Sequence, residues 1–183
     1  MARILLGCGA SVALYKACDL ASKLTQAGHQ VRAVLTPNAA KLVSPQLFEA
    51  VCGEPAQVDE FGPERRGAMD HIELAKWGEL LLVAPASAGL VARLAHGIAD
   101  DLLGTLALAL DAKKPRILCP AMNPTMLEAR PLQRNLVALR EDGWEILEPE
   151  TGHMACGDAG QGRLVEPARI VERVSARLAR ALG

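Results

Sequence analysis

The sequence predicts an α/β fold in which helices cover both faces of a doubly wound parallel sheet, a three-layer αβα, Rossmann-like arrangement. Short apolar runs alternate along the chain with segments of helical periodicity, which is the pattern of βαβ units. The apolar runs are nearly continuous, as in strands that are buried on both faces. A chain of 183 residues can bury one core of this kind, so we expect a single domain over residues 1–183.

The first βαβ unit is the clearest segment. Arg3 to Cys8 and Gln30 to Leu35 are short apolar runs, and the segment from Ser11 to Ala27 between them has helical spacing. Ser11 stands where an N-cap residue is expected, and Gly28 stands where a helix usually has its C-cap. The segment is therefore predicted to form a strand, a helix and a second strand.

Two more buried parallel strands are predicted further along the chain, from Leu80 to Ala84 and from Arg116 to Cys119. The stretch between them, from Leu90 to Ala109, has helical periodicity. Gly97 interrupts this stretch, which predicts two helices rather than one. The alternation of strand and helix thus continues through the middle of the chain.

The last third of the chain adds a helix, a strand and a terminal helix. Leu132 to Glu141 suits a short helix ended by Gly143, and Trp144 to Leu147 returns to strand before a long loop. Ala168 to Leu182 places its apolar residues on one stripe, which predicts an amphipathic helix. The stretch from Gly53 to Met69 is rich in charge, glycine and proline, and we expect a mobile insertion there.

Composition excludes several classes of protein. The formal net charge is −1 and no stretch concentrates lysine and arginine, so the footprint of a nucleic-acid-binding protein is missing. The longest apolar runs are too short to span a membrane. The five cysteines are odd in number, widely spaced and without a Cys-x-x-Cys pair, which predicts reduced thiols and no metal site. The N-terminus has no signal-peptide pattern, so we expect a cytoplasmic protein.

The turn after the first strand is a candidate anion site. Residues 7–12 (Gly-Cys-Gly-Ala-Ser-Val) present backbone N–H groups and the Ser11 hydroxyl at a helix N-terminus. Val12 stands where the third glycine of a dinucleotide fingerprint belongs, which argues against that motif. Thr36 and Ser87 add hydroxyls at the ends of two other strands, on the same edge of the sheet. Mononucleotide binding and an ordinary tight turn both stay open for this segment.

Two other side chains are candidate catalytic groups. His71 lies in the first turn of a predicted helix for which Asp70 is a candidate cap, although a histidine there is also common as a structural residue. Asn123 follows a strand and precedes Pro124, so its amide can either bind a carboxylate or simply form a turn. Neither residue decides a function alone.

Cys156 is the cysteine with the most reactive setting, because it lies in a polar loop dense in glycine. Such a loop can close over a ligand, with His153 and Arg163 binding anionic parts of a substrate while Cys156 supplies a proton. The alternative is a flexible hairpin with an incidental thiol.

Taken in order, the short motifs of this chain resemble those of the homo-oligomeric flavin-containing cysteine decarboxylases, and most closely the branch that acts on phosphopantothenoylcysteine. The resemblance runs nearly from end to end. The motifs that carry it are Ala13-Leu14-Tyr15-Lys16-Ala17, His71-Ile72-Glu73-Leu74-Ala75, Ala84-Pro85-Ala86-Ser87, Gly97-Ile98-Ala99-Asp100-Asp101-Leu102-Leu103, Pro120-Ala121-Met122-Asn123 and Ala155-Cys156-Gly157-Asp158.

This resemblance implies a flavoprotein that binds FMN and assigns roles to individual residues. It implies His71 as the base, Asn123 as the group that binds the substrate carboxylate, and Cys156 as the acid. His153, Ala155 and Arg163 would also contact the substrate. The residues expected to contact FMN are Ala10, Ser11, Val12, Thr36, Ser87, Ala88 and Ala121.

The activity implied by the resemblance is decarboxylation of 4'-phosphopantothenoylcysteine to 4'-phosphopantetheine in coenzyme A biosynthesis. FMN would take up a hydride and return it, so the reaction has no net redox change. The resemblance also implies a homo-oligomer, a trimer or a dodecamer, in which residues of two chains complete each site. No nucleic acid, membrane or metal is expected as a partner.

Four other functions compete with this one. A peptidyl-cysteine decarboxylase of lantibiotic maturation would use the same flavin and base, and a non-catalytic flavin-binding regulatory subunit would need none of the reactive groups. A flavin prenyltransferase would require charged residues for a prenyl phosphate that the sequence does not reveal. A nicotinamide-dependent oxidoreductase is disfavoured by the missing third glycine and ribose-binding acid.

Overall fold

The computed structural model describes residues 1–62, 69–153, 157 and 159–181. Its central sheet has five strands: β1 Arg3–Cys8, β2 Gln30–Leu35, β3 Leu80–Ala86, β4 Arg116–Pro120 and β5 Trp144–Ile146. A separate hairpin consists of β6 Glu150–His153 and β7 Ala159–Arg163. The helices are α1 Leu14–Gln26, α2 Pro37–Ala40, α3 Pro45–Cys52, α4 Asp70–Trp77, α5 Ala88–Ala95, α6 Leu102–Ala109, α7 Pro124–Glu128, α8 Arg130–Glu141 and α9 Pro167–Ala181.

The central sheet is parallel throughout and has the strand order β2-β1-β3-β4-β5. Helices α1, α3 and α9 pack on one face of the sheet, and α4, α5, α6 and α8 pack on the other. Successive side chains of β1 alternate between the two cores: Ile4 and Leu6 belong to one and Leu5 to the other. This arrangement confirms the predicted doubly wound fold.

The first helix begins later than the sequence predicts. Ser11 is not its N-cap, because a turn precedes the helix and the cap position falls on Ala13, which gives no side-chain bond. The Ser11 hydroxyl instead donates to the carbonyl of Ala121, the residue after β4. The C-terminal end of α1 is as predicted. Gly28 has φ +84°, its N–H donates to the carbonyl of Thr25, and His29 N–H donates to the carbonyl of Leu24.

The middle of the chain follows the prediction closely. Gly97, with φ +63°, separates α5 from α6. Ser87 and Asp101 cap these two helices by accepting backbone N–H bonds. Strand β3 runs two residues further than predicted, to Ala86.

The segment expected to be a mobile insertion is partly attached to the sheet. Gln57 forms an isolated parallel bridge with Val34 of β2. Its buried side chain donates from Nε2 to Oδ2 of Asp70 at 3.0 Å. Asp70 was a candidate cap for α4, but it is the first residue of that helix, and Met69 occupies the cap position without a side-chain bond. Residues 63–68 of this segment lie outside the described residues. Helices α2, α3 and α7 were not predicted.

The loop predicted between β5 and the terminal helix is a two-stranded antiparallel hairpin, because Glu150–His153 pairs with Ala159–Arg163. Helix α9 buries the predicted apolar stripe through Ile170, Val174 and Leu178. Among the described residues, none of the helices has the length and apolar character needed to cross a membrane.

Candidate active site

A cleft of about 490 Å³ opens at the carboxyl edge of the sheet, near the point where the winding reverses between β1 and β3. Ligands of open α/β sheets bind at this position. Three strand-to-helix connections, the first turn of α1, the segment after α2 and both strands of the hairpin form its wall. The lining residues are Ala10, Ser11, Val12, Ala13, Tyr15, Lys16, Leu42, Ser87, Ala88, Ala121, Met122, Asn123, Met126, His153, Gly162, Arg163 and Leu164.

The β1–α1 turn is held tightly against the neighbouring strands. Gly9 N–H donates to the carbonyl of Pro85 at 2.8 Å, and a Cβ on Gly9 would lie only 2.8 Å from that oxygen. The Ser11 hydroxyl donates to the carbonyl of Ala121 at 3.1 Å and accepts from Ala13 N–H at 3.3 Å. These bonds fix the turn that carries the predicted flavin contacts against the ends of β3 and β4.

The β3–α5 and β4–α7 connections supply the next part of the wall. Ser87 Oγ accepts from Leu90 N–H at 3.4 Å, so the hydroxyl lies at the N-terminus of α5. Asn123 caps α7, since its Oδ1 accepts from Thr125 N–H at 2.8 Å. This cap orients the amide, and its nitrogen is the group with which Asn123 can donate to a carboxylate.

The hairpin closes the other side of the cleft through His153 and Arg163. It is attached to the β4–α7 connection, because Met122 N–H donates to the carbonyl of Gly162 at 3.0 Å. The arginine lies across Gly152, where a Cβ would be 2.6 Å from Nη1. The remaining two predicted substrate-site residues, Ala155 and Cys156, belong to the connection between β6 and β7 and lie outside the described residues.

The cleft wall carries positive charge. Lys16 and Arg163 both line it, and none of its described lining residues is an aspartate or a glutamate. Glu166 does not line the cleft, but its Oε1 is 2.6 Å from Lys16 Nζ and 3.3 Å from Arg163 Nη2. Within the part of the chain that the structure describes, no group of three or more acidic, histidine or cysteine side chains is arranged to hold a metal ion.

Two predicted site residues do not line this cleft in the single chain. Thr36 is buried, and its Oγ1 accepts from Ala39 N–H at 3.2 Å to cap α2. His71 is in the first turn of α4 as predicted, partly buried, with its Nδ1 against a carboxylate oxygen of Glu60. The chain by itself therefore brings together the predicted flavin contacts other than Thr36, and the described substrate contacts Asn123, His153 and Arg163, but not the predicted base.

The described cysteines are free and unsuited to nucleophilic work. Burial, with smaller contributions from Cys18 and Cys52, raises the pKa of the Cys8 thiol well above its usual range. Burial also raises the pKa of Cys119, and it raises the pKa of Cys52 to about 11. These thiols are protonated and packed, as expected for structural cysteines.

Sequence reasoning did not assign several residues of the wall to a site. Tyr15 and Lys16 stand in the first turn of α1, outside the stripe that the helix buries through Leu14, Ala17 and Leu20. This break in the apolar pattern was the available signal for them. Leu42, by contrast, reaches the cleft from the segment after α2, which carried no recognisable pattern.

The fold and this cleft define a flavoprotein-type α/β domain, and the chain belongs to the Flavoprotein family, whose model matches residues 1–179. It is 42% identical over 169 residues to the coenzyme A biosynthesis bifunctional protein CoaBC of Bacillus subtilis (strain 168). That match covers 92% of this chain and 41% of the relative, so the chain spans about two fifths of the curated relatives that it matches.

Solved structures of similar proteins have the same fold over nearly the whole chain. A PPC decarboxylase mutant complexed with pantothenoylaminoethenethiol superimposes with a TM-score of 0.86 at 29% identity, covering 97% of this chain and 98% of that one. The FMN-dependent cysteine decarboxylase SpaF superimposes with a TM-score of 0.85 at 31% identity, covering 100% and 98%.

Proposed function

We propose that the chain catalyses the FMN-dependent decarboxylation of 4'-phosphopantothenoylcysteine to 4'-phosphopantetheine in coenzyme A biosynthesis. The observation that carries this proposal is the cleft, which gathers Ser11, Ser87, Ala121, Asn123 and Arg163 from four separate segments. The similarity to CoaBC and to a PPC decarboxylase bound to pantothenoylaminoethenethiol favours this cysteinyl substrate.

The residues of the cleft fit FMN. The volume of the cleft, about 490 Å³, lies within the range of about 300–1,000 Å³ that is usual for cofactor pockets. The alanines at 10, 88 and 121 leave room for a flat apolar ring, and the hydroxyls of Ser11 and Ser87 stand at its edge. When bound, FMN supplies a hydride acceptor that later returns the hydride, so no second redox cofactor is required.

The chain's own residues then bind and protonate the substrate. Asn123, fixed by its cap on α7, donates from its amide to the substrate carboxylate. Arg163 and His153 line the same wall and bind anionic parts of the substrate. His71 acts as the base toward the cysteinyl group, and Cys156, which lies outside the described residues, supplies the proton that completes the product.

A second copy of the chain completes the site in this proposal. His71 does not line the cleft of its own chain, yet the proposed reaction needs a base there. Large apolar side chains at the cleft are also unusually exposed, with 70% for Val12, 66% for Tyr15 and 59% for Leu42. Exposed apolar clusters of this kind mark interaction surfaces. We infer a homo-oligomer, a trimer or a dodecamer, with the flavin between subunits.

The proposal is tested with purified protein supplied with FMN. We expect flavin absorption bands on the protein and release of CO2 from 4'-phosphopantothenoylcysteine, measured with 4'-phosphopantetheine formation. A peptide that ends in cysteine is the matched alternative substrate. Preference for the peptide would replace the proposed substrate with a peptidyl one, and a protein that cannot be reconstituted with FMN would refute the proposal.

A further inference from the structure

The cleft wall carries two cationic side chains, and the reaction described above gives a role to Arg163 but none to Lys16. Lys16 on α1 and Arg163 on β7 are far apart in sequence and both line the cleft. No described lining residue carries a carboxylate, so the ligand-facing charge of this wall is positive. Such a wall favours an anionic group on the ligand.

The carboxylate of Glu166, which does not line the cleft, pairs with both cations. Glu166 Oε1 lies 2.6 Å from Lys16 Nζ and 3.3 Å from Arg163 Nη2, and Glu166 is not a lining residue. The Lys16 side chain is only 12% exposed, whereas that of Glu166 is 46% exposed. The Arg163 side chain is 38% exposed. Two cations share one carboxylate, so this group of three side chains keeps a net positive charge that a further anion would neutralise.

An ordinary surface ion pair on the same helix looks different. Lys23 pairs with Asp19 one turn away, one cation to one carboxylate, and their side chains are 41% and 49% exposed. Such a pair balances its own charge and contributes little to stability. At the cleft, the Lys16 side chain is less exposed than that of Lys23. Lys16 and Arg163 also offer more N–H donors than one carboxylate can accept, because an ammonium has three N–H groups and a guanidinium has five.

We propose that Lys16 and Arg163 form a subsite for the phosphate monoester at one end of a ligand, with Glu166 as the counter-ion that holds both cations in place before the phosphate binds. The guanidinium can bind two phosphate oxygens at once, and the ammonium acts as a point charge beside them. This inference rests on the proposed function, which brings two phosphate monoesters to the cleft, the cysteinyl substrate and FMN.

Two pairs of ligands, each with and without a phosphate, show whether the subsite binds the phosphate of FMN or that of the substrate. The first pair is FMN and riboflavin, whose affinities are measured by the change in flavin fluorescence on binding. The second is 4'-phosphopantothenoylcysteine and pantothenoylcysteine, whose binding is measured by calorimetry and whose turnover is measured as kcat/KM. We expect Lys16→Met to weaken the phosphorylated member of one pair by about tenfold or more, and its partner by less than about twofold.

Matched variants separate a ligand role from a structural one. Lys23→Met removes the other ion-paired lysine of α1 and should leave both pairs unchanged. Lys16→Arg keeps the charge and should restore much of the discrimination. Arg163→Lys keeps the charge but loses the two-pronged donor, so it should weaken the same phosphorylated ligand as Lys16→Met does.

A loss confined to FMN assigns the subsite to the flavin phosphate, and a loss confined to the cysteinyl compound assigns it to the substrate. Equal weakening of both members of a pair, or no change in either pair, overturns the proposal. If the protein decarboxylates neither cysteinyl compound, the proposed function fails, while the calorimetric and fluorescence affinities still decide whether this phosphate subsite exists.

Discussion

His71 and Cys156 have separable roles in the proposed reaction, and single substitutions test them. We expect His71→Asn to abolish the first step, because no base then removes the proton that accompanies oxidation of the thiol. Cys156→Ser should still oxidise the substrate and release CO2 but stall before the final protonation. Mass spectrometry of quenched mixtures would detect the unsaturated intermediate. Normal turnover by Cys156→Ser would remove that residue from the acid role.

The buried thiols provide a second test at the scale of single residues. Burial raises the pKa of Cys8 and Cys119, so we expect neither to react with iodoacetamide in the native protein at pH 8. Cys52, with a pKa raised to about 11, should react faster as the pH approaches that value. Cys156, whose flanking sequence is polar and rich in glycine, is expected to react first. Peptide mass mapping would check this order, and early labelling of Cys119 would contradict it.

The same raised pKa has a consequence for stability. A thiol normally titrates near 9.0, so between pH 9.0 and about 11 the unfolded chain loses the Cys52 proton while the native chain keeps it. The free energy of unfolding should therefore fall as the pH rises through this window. Urea titrations of the wild type and of Cys52→Ala would show a shallower fall for the variant, and identical slopes would argue against this assignment.

At the scale of elements, the β1–α1 turn depends on a close approach that only glycine permits. A methyl group on Gly9 would lie 2.8 Å from the carbonyl of Pro85 and from Leu90 Cδ2. We expect Gly9→Ala to lower the free energy of unfolding by about 1–3 kcal/mol and to weaken FMN binding, since the turn must move.

Gly89 offers the matched control for this substitution. It lies in the first turn of α5, is exposed, and has no neighbouring atom within 4 Å of an added Cβ. Gly89→Ala should therefore be neutral or raise the free energy of unfolding by up to about 1 kcal/mol through helix propensity. Thermal and urea unfolding would compare the two variants, and equal losses would show that Gly9 is not specially constrained.

At the scale of the whole molecule, the proposed oligomer predicts complementation between two inactive variants. If His71 of one copy serves the cleft that contains Asn123 of another, co-assembly of His71→Asn with Asn123→Ala should restore activity. Random mixing in equal amounts should regenerate about a quarter of the native sites. Activity of the co-expressed variants measures this, together with light scattering to count subunits. A monomer with bound FMN, or no recovery in confirmed mixed oligomers, would refute the shared site.

The local pattern of the sequence was sufficient for the order and type of most elements. Buried strands such as β1 and β3 are continuous apolar runs, and glycines at 28 and 97 end helices where a positive φ is needed. Helices α2, α3 and α7 escaped prediction; α2 and α7 are single turns of four and five residues, and α3 has only eight residues. The hairpin was predicted as a loop, because its glycine-rich strands have no alternating apolar face.

The sequence by itself determined that hydroxyl, amide and glycine groups would gather at the carboxyl edge of a parallel sheet, because every parallel strand ends on that side. Only the tertiary structure decided which of these groups meet. Ser11 bonds to Ala121 and Lys16 to Glu166 across long stretches of chain, and His71 lies away from the cleft of its own chain. Contacts between residues so far apart in sequence depend on strand order, register and the packing of distant segments, which local periodicity does not encode.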